Sequence, residues 1–198
     1  MTLIYPPHRD LLLRPPLLGD FTWVNQGDAT ATQGRYGLVM IAPPSSGDNL
    51  RLLMQPVPTI PYTLTVKMIP HFIGMNFSGG GIAWRESSTG RIVSHQATAR
   101  ITTSSNDPVW DVIKWTNPST YNSSYQNRGI MAGHELWLQV SETSTQRICR
   151  ISGDGETFIT LHTVSRTDFL TADQIGIFVN AVQNSFPAAA TFTHWVIT

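Results

Sequence analysis

One cysteine in 198 residues leaves nothing with which to form an internal disulfide. Cys149 stands in an alternating run and reads as a small buried apolar residue, not a reactive thiol. Charge is equally scarce. Lys plus Arg and Asp plus Glu both total 13, so the net charge is zero and 13% of residues are charged, about half the usual share. Nucleic-acid binding rests on clustered Lys and Arg against phosphates, so a neutral chain argues against a nucleic-acid partner. No apolar run approaches the roughly 18 residues of a membrane span, and the start, MTLIYPPHRD, lacks a basic region followed by an apolar one. The expectation is a soluble, unprocessed protein with no membrane insertion. A convincing 3.6-residue period longer than one or two turns is absent as well, which argues against a helical domain.

Catalytic signatures are missing too. The histidines at 8, 71, 95, 134, 162 and 194 are scattered without metal-ligand spacing, and no second cysteine joins them. The Gly79-Gly80-Gly81 triplet is followed by no Lys-Ser/Thr pair and no helix on which a phosphate would sit. It reads as a strand entry where neighbours pack closely. No Gly-x-Ser-x-Gly elbow marks a nucleophile. The chain is therefore expected to be no enzyme, with no catalytic residue, no metal ligand and no cofactor assigned.

What the sequence does contain is strand. In residues 134–164, Leu136, Leu138 and Val140 alternate with Trp137, Gln139 and Ser141, the two-residue period of a strand with one face inward. A polar run from Glu142 to Gln146 turns the chain, a second strand covers Arg147 to Ser152, and Ser152-Gly153-Asp154-Gly155 supplies the turn to a third, Thr157 to Val164. Such a meander needs a second layer over its apolar face. Further strands are expected at Phe21 to Val24, Leu38 to Ala42, Leu50 to Met54, Tyr62 to Ile69, Ile82 to Arg85, Arg91 to Ser94, Gln174 to Ala181 and Thr191 to Thr198. About a dozen short strands with Pro and Gly punctuation read as an all-β protein, a two-sheet antiparallel β-sandwich.

Two stretches stand apart. Residues 1–19 hold Pro6, Pro7, Pro15 and Pro16, which forbid regular pairing, beside Leu11, Leu12, Leu13, Leu17 and Leu18, which favour burial. This is an extended arm that lies either along its own domain or on a neighbouring subunit. The expected organisation is the arm at 1–19 and the sandwich at 20–198. Residues 103–133 read as irregular loops rich in Ser, Asn and Thr that carry Trp110, Trp115, Tyr121 and Tyr125. Their aromatics serve either packing or ligand stacking.

A sequence of short pieces completes the reading: Asp20-Phe21-Thr22-Trp23, Gly37-Leu38 running into Ala42-Pro43, Tyr62-Thr63-Leu64, Gly80-Gly81-Ile82, Trp137-Leu138-Gln139-Val140, Ser152-Gly153-Asp154-Gly155 and Gln174-Ile175-Gly176-Ile177-Phe178. Their order resembles the concanavalin A-like lectin/glucanase superfamily of jelly rolls over residues 20–198. More narrowly, it resembles small bacteriophage and prophage structural proteins that carry this domain behind a short arm. The glucanases of the superfamily imply Glu, Asp and Glu on alternate strand positions for retaining hydrolysis. Here Glu86, Glu135, Glu142 and Glu156 are not so spaced. Its metal-dependent lectins imply calcium held by acidic residues and Asn. Asp107 and Asp111 sit beside the aromatic stretch, and turn formation is their default reading.

The resemblance implies a virion protein, assembled in the host cytoplasm, with glycan binding through Trp110, Trp115, Tyr121, Tyr125, Asp107, Asp111 and Asn117. Sugars stack apolar C–H faces on aromatic rings, while Asn, Asp and Ser meet hydroxyls. Expected partners are other virion proteins or further copies of the chain, reached through the arm leucines, and a host-surface glycan. A pure assembly protein without a ligand, and a glycoside hydrolase with an unfamiliar acid pair, stand as alternatives.

Overall fold

The computed structural model describes residues 13–72, 77–99, 108–130, 135–182 and 186–198. Leu11, Leu12 and Asp107 lie outside these. Among the described residues the chain forms fourteen strands and one 3₁₀ turn, Leu18–Asp20. The strands are β1 Thr22–Val24, β2 Thr30–Gln33, β3 Leu38–Ala42, β4 Arg51–Pro56, β5 Tyr62–Phe72, β6 Gly79–Arg85, β7 Ile92–Ala99 and β8 Pro108–Asn117. They continue as β9 Thr120–Ile130, β10 Leu136–Glu142, β11 Gln146–Ser152, β12 Ile159–Ser165, β13 Gln174–Asn180 and β14 Ala188–Ile197. Two seven-stranded antiparallel sheets result. Sheet A runs β1-β4-β13-β6-β7-β8-β9 and sheet B runs β12-β11-β10-β5-β14-β3-β2.

The expected meander is present as β10, β11 and β12 at one side of sheet B, with Trp137 facing Ser152 and Glu142 facing Arg147 across the first hairpin. Alternation decides which side chains enter the core. From sheet B, Leu64, Val66 and Met68 of β5 and Leu136, Leu138 and Val140 of β10 point inward. They meet Ile82 and Trp84 of β6, Val93 and Ala97 of β7, and Ile177 and Val179 of β13 from sheet A. Cys149 is buried in this layer with a free thiol, and its burial pushes the thiol up to about 12.

Polar groups also cross the core. Glu142 and Arg147 are almost wholly buried, and the Arg147 Nη2 and Nε atoms donate to Glu142 Oε1 at 2.7 and 3.2 Å. Tyr62 donates its hydroxyl to Glu142 Oε2 at 3.0 Å, Trp84 donates its indole N–H to the Tyr62 oxygen at 2.7 Å, and the Arg147 guanidinium lies 4.7 Å from the Trp84 ring centre. A buried carboxylate and guanidinium need such partners, because leaving either alone costs several kcal/mol.

Residues 103–133, read as irregular loops, hold two long strands instead: β8 and β9 form a hairpin that ends sheet A. The misreading has a physical reason. A strand covered on both faces loses clean alternation, and here Asp111, Ile113 and Trp115 share one face while Trp110 and Val112 share the other, all of them buried.

The described part of the arm rests on its own domain. The Trp195 backbone N–H donates to the Arg14 carbonyl at 2.7 Å, Pro16 is buried, Leu18 packs against the core, and Phe21 meets Trp195 edge-on at 5.2 Å. Leu13 and Leu17 remain 44% and 58% exposed.

Candidate ligand-binding site

The inner strands of sheet A, β4, β13, β6, β7 and β8, are buried on both faces. Behind the main core, Leu52 and Met54 of β4, Phe178 of β13, Ala83 of β6, Ile92 of β7, and Ile113 and Trp115 of β8 form a second apolar cluster on the face turned away from sheet B. Next to that cluster the same face holds a pocket of about 520 Å³, within the range of small-molecule sites.

Strand register builds its walls. On β7, Val93, His95 and Ala97 turn to the core, so the intervening Ser94, Gln96 and Thr98 turn to the pocket side. Asp111 lies directly opposite Gln96 in the ladder, and Ile113 opposite Ser94. The next strand adds Tyr121 opposite Trp115 and Ser124 opposite Ile113. On the β6 side, Gly81 faces Gln96. A Cβ at position 81 would collide with the His95 carbonyl and the Gln96 Cα, so only glycine lets β6 and β7 close up here. Loops complete the rim: Gly47 and Asp48 before β4, Phe77 before β6, and Val182 after β13.

The wall polar groups are ordered among themselves. Trp115 donates its indole N–H to Ser94 Oγ at 2.9 Å, Ser94 donates to Gln96 Oε1 at 2.7 Å, and Gln96 Nε2 donates to Thr98 Oγ1 at 2.6 Å. On the opposite rim, Asn180 at the end of β13 accepts the Asn49 backbone N–H at 2.9 Å and donates to Asp48 Oδ1 at 3.4 Å. Burial holds the Asp48 carboxyl above the usual carboxylate range, against the opposing pull of the Asn180 bond. Asp111 is fully buried in the wall.

The sequence candidates divide. Asp111, Trp115 and Tyr121 come together at the pocket, where Tyr121 is half exposed, packs edge-on against Trp115 at 5.9 Å, and lies with its hydroxyl 3.2 Å from Ser124 Oγ. Trp115 is 3% exposed, a floor residue and not a loop platform. Trp110 turns the other way into the main core, 6.4 Å from the His95 ring and stacked on it. Tyr125 also turns away: it stacks on His162 at 4.8 Å, donates its hydroxyl to Asp168 and carries the Lys114 ammonium 4.3 Å above its ring. Asn117 caps the β8–β9 turn through its side-chain oxygen, which accepts from the Ser119 N–H and hydroxyl.

Sequence reading missed Asp48, Phe77, Gln96, Thr98 and Ser124. The signal for Gln96 and Thr98 was their alternation with Val93, His95 and Ala97, and nothing local marked the two loop residues. Among the described residues no group of three or more His, Cys, Asp or Glu is placed to hold a metal ion.

No protein-family model and no curated protein matches the chain. Solved structures do. A functionally unknown protein from Saccharomyces cerevisiae matches at 16% identity over 91% of this chain and 97% of that one, with a TM-score of 0.66. A mutant of the GH43 protein BlXynB from Bacillus licheniformis matches at 15% identity and a TM-score of 0.70, over 93% of this chain and 37% of that one. A legume lectin-like domain from Entamoeba histolytica matches at 9% identity over 91% of this chain and 90% of that one, with a TM-score of 0.59. The likeness is one of fold alone: a two-sheet antiparallel sandwich of the jelly-roll kind.

Proposed function

We propose that this domain is a non-enzymatic glycan-recognition module that uses the pocket on the outer face of sheet A, and that a phage particle carries it. One observation carries the reading: Trp115, Tyr121 and Phe77 line the same pocket as Gln96, Thr98, Ser124, Asp48 and Asp111. Apolar rings among hydroxyl, amide and carboxylate groups suit a sugar, which offers a C–H face to the rings and hydroxyls to the rest. The solved lectin-like domain of similar fold supports the class of ligand by analogy. A binding role fits the buried Asp111, since hydrolysis would use two carboxyl groups presented on either side of a glycosidic oxygen. The phage setting rests on the arm-plus-sandwich resemblance. Mass spectrometry of purified particles tests it through the presence and copy number of this chain.

The binding test uses Tyr121→Ala. Tyr121 is half exposed, so its loss should leave the melting temperature within a degree or two while abolishing retention on a glycan array. Retention unchanged by this variant, or release of reducing sugar from the retained glycan, would overturn the reading.

A second reading, assembly through the arm, is favoured by the exposure of Leu13 and Leu17. Two half-exposed leucines leave roughly 1.5 to 3 kcal/mol of burial ungained. Leu13→Ser with Leu17→Ser should lower the sedimentation coefficient without lowering the melting temperature if the arm joins subunits. An unchanged coefficient would reject that role.

A further inference from the structure

Phe77 has its backbone in the left-handed region, with φ at +71°. That region is rarely adopted by residues other than glycine, and for a bulky side chain it signals strain or function. Two other described non-glycine residues share it, and each has a local reason. Asn25, at +57°, belongs to a type that tolerates the region, and its amide donates to Asn49 Oδ1 and to the Leu50 carbonyl. Phe169, at +68°, has its ring packed against the core with the Arg91 guanidinium 5.2 Å from the ring centre.

Phe77 differs because its ring is 43% exposed and borders the pocket. Its backbone is nonetheless held firmly. The Phe77 N–H donates to the Ala99 carbonyl at 2.7 Å, and the Ala99 N–H donates to the Ser78 carbonyl at 2.7 Å. Both ends of this short ladder clamp the residue to the end of β7. Glycine would occupy the position without strain, and three glycines follow two residues later. The chain instead keeps a large apolar residue on the pocket rim, on a strained backbone and a little under half exposed to water.

We infer that Phe77 is a ligand-contact residue, held in its strained backbone so that its ring meets the apolar C–H face of a pyranose seated between it and Tyr121. This rests on the glycan-binding reading and sharpens it: a sugar offering a continuous C–H face is selected, and position 77 acts on affinity and not on folding. The exposed part of Phe77 gives the strain no return in the free protein and gives one when a ligand covers it.

The test compares full-length wild type with Phe77→Gly and Phe77→Trp. Probes are immobilised oligosaccharides of glucose, mannose, galactose and xylose, with calorimetry on whichever the wild type retains. The glycine variant should melt at or above the wild-type temperature and bind at least tenfold more weakly, while the tryptophan variant should bind within about threefold of wild type. Equal affinity for wild type and Phe77→Gly overturns the inference and leaves the glycan reading standing. A lower melting temperature for Phe77→Gly overturns the strain argument whatever the binding result. If the wild type retains none of the probes, the glycan reading falls and this inference falls with it.

Discussion

Trp115 on β8 donates its indole N–H to the hydroxyl oxygen of Ser94 on β7, its diagonal neighbour, at 2.9 Å. An indole can only donate, so the direction of the whole row is set by this bond. Ser94 turns its hydrogen to Gln96 Oε1, which fixes the amide so that Nε2 faces Thr98. The Thr98 oxygen is thereby an acceptor within the row, on a residue that lines the pocket. A buried tryptophan thus sets the polarity of the pocket wall.

Trp115→Phe keeps the ring and removes the donor. It should cost about 1 to 3 kcal/mol of stability, the cost of a lost buried hydrogen bond, and weaken glycan binding by letting Gln96 turn. Urea melts and calorimetry check both. Thr98→Val should weaken binding as well, because the amide of Gln96 loses its acceptor and the pocket wall loses a hydroxyl. Binding unchanged in both variants would remove the row from the site.

The second prediction concerns the buried pair in the core. Glu142→Gln leaves the Arg147 guanidinium without its carboxylate, and breaking a buried pair from one side typically costs about 3 to 5 kcal/mol. Glu142→Leu combined with Arg147→Met should recover much of that loss, since the double change leaves no charge stranded. Denaturant titration of the three proteins checks this; a double variant no better than Glu142→Gln would show that the neighbouring Tyr62 and Trp84 depend on the charge.

Stability should also fall with acid. His95 is fully buried, its Nε2 donates to the Arg150 carbonyl at 2.8 Å, and burial pulls its pKa down to about 4. The ordinary value is near 6.5, so between these two values the unfolded chain binds the proton and the folded chain does not. The stabilisation is complete above about pH 6.5, declines as the pH drops, and is lost below about 4; it amounts to roughly 3 kcal/mol. Burial lowers His162 and His194 in the same direction. Unfolding free energies measured from pH 7.5 to 4.5 should therefore slope downward, and less steeply in His95→Gln than in wild type.

Gly155 provides the fourth test. Its φ of +79° and its position over Trp137, where a Cβ would come within 2.6 Å of the indole, both forbid a side chain. Gly155→Ala should destabilise by more than about 1 kcal/mol. Trp137→Ala should cost roughly 3 to 5 kcal/mol. The two changes share one contact, so their combined cost should be less than additive, which a double-mutant cycle in urea would measure.

The amino-acid sequence by itself determined the class of fold and most of the strands. The two-residue period of Tyr62, Leu64, Val66 and Met68, or of Leu136, Leu138 and Val140, is a local property and is visible wherever one face is buried and the other is wet. It also showed that Cys149 is inward and that 152–155 turn. The tertiary structure alone decided the fate of 108–130, because β8 is covered on both faces and its alternation is erased, while β9 is a polar strand at the end of the sheet. It alone sent Trp110 to the core and Trp115 to the pocket, neighbours of the same type five residues apart on opposite faces of one strand. It also brought Asp48, Phe77 and Val182 onto the rim beside Gln96 and Thr98. Such a site is assembled by pairing between strands and by loops distant in sequence, and no period along the chain records that assembly.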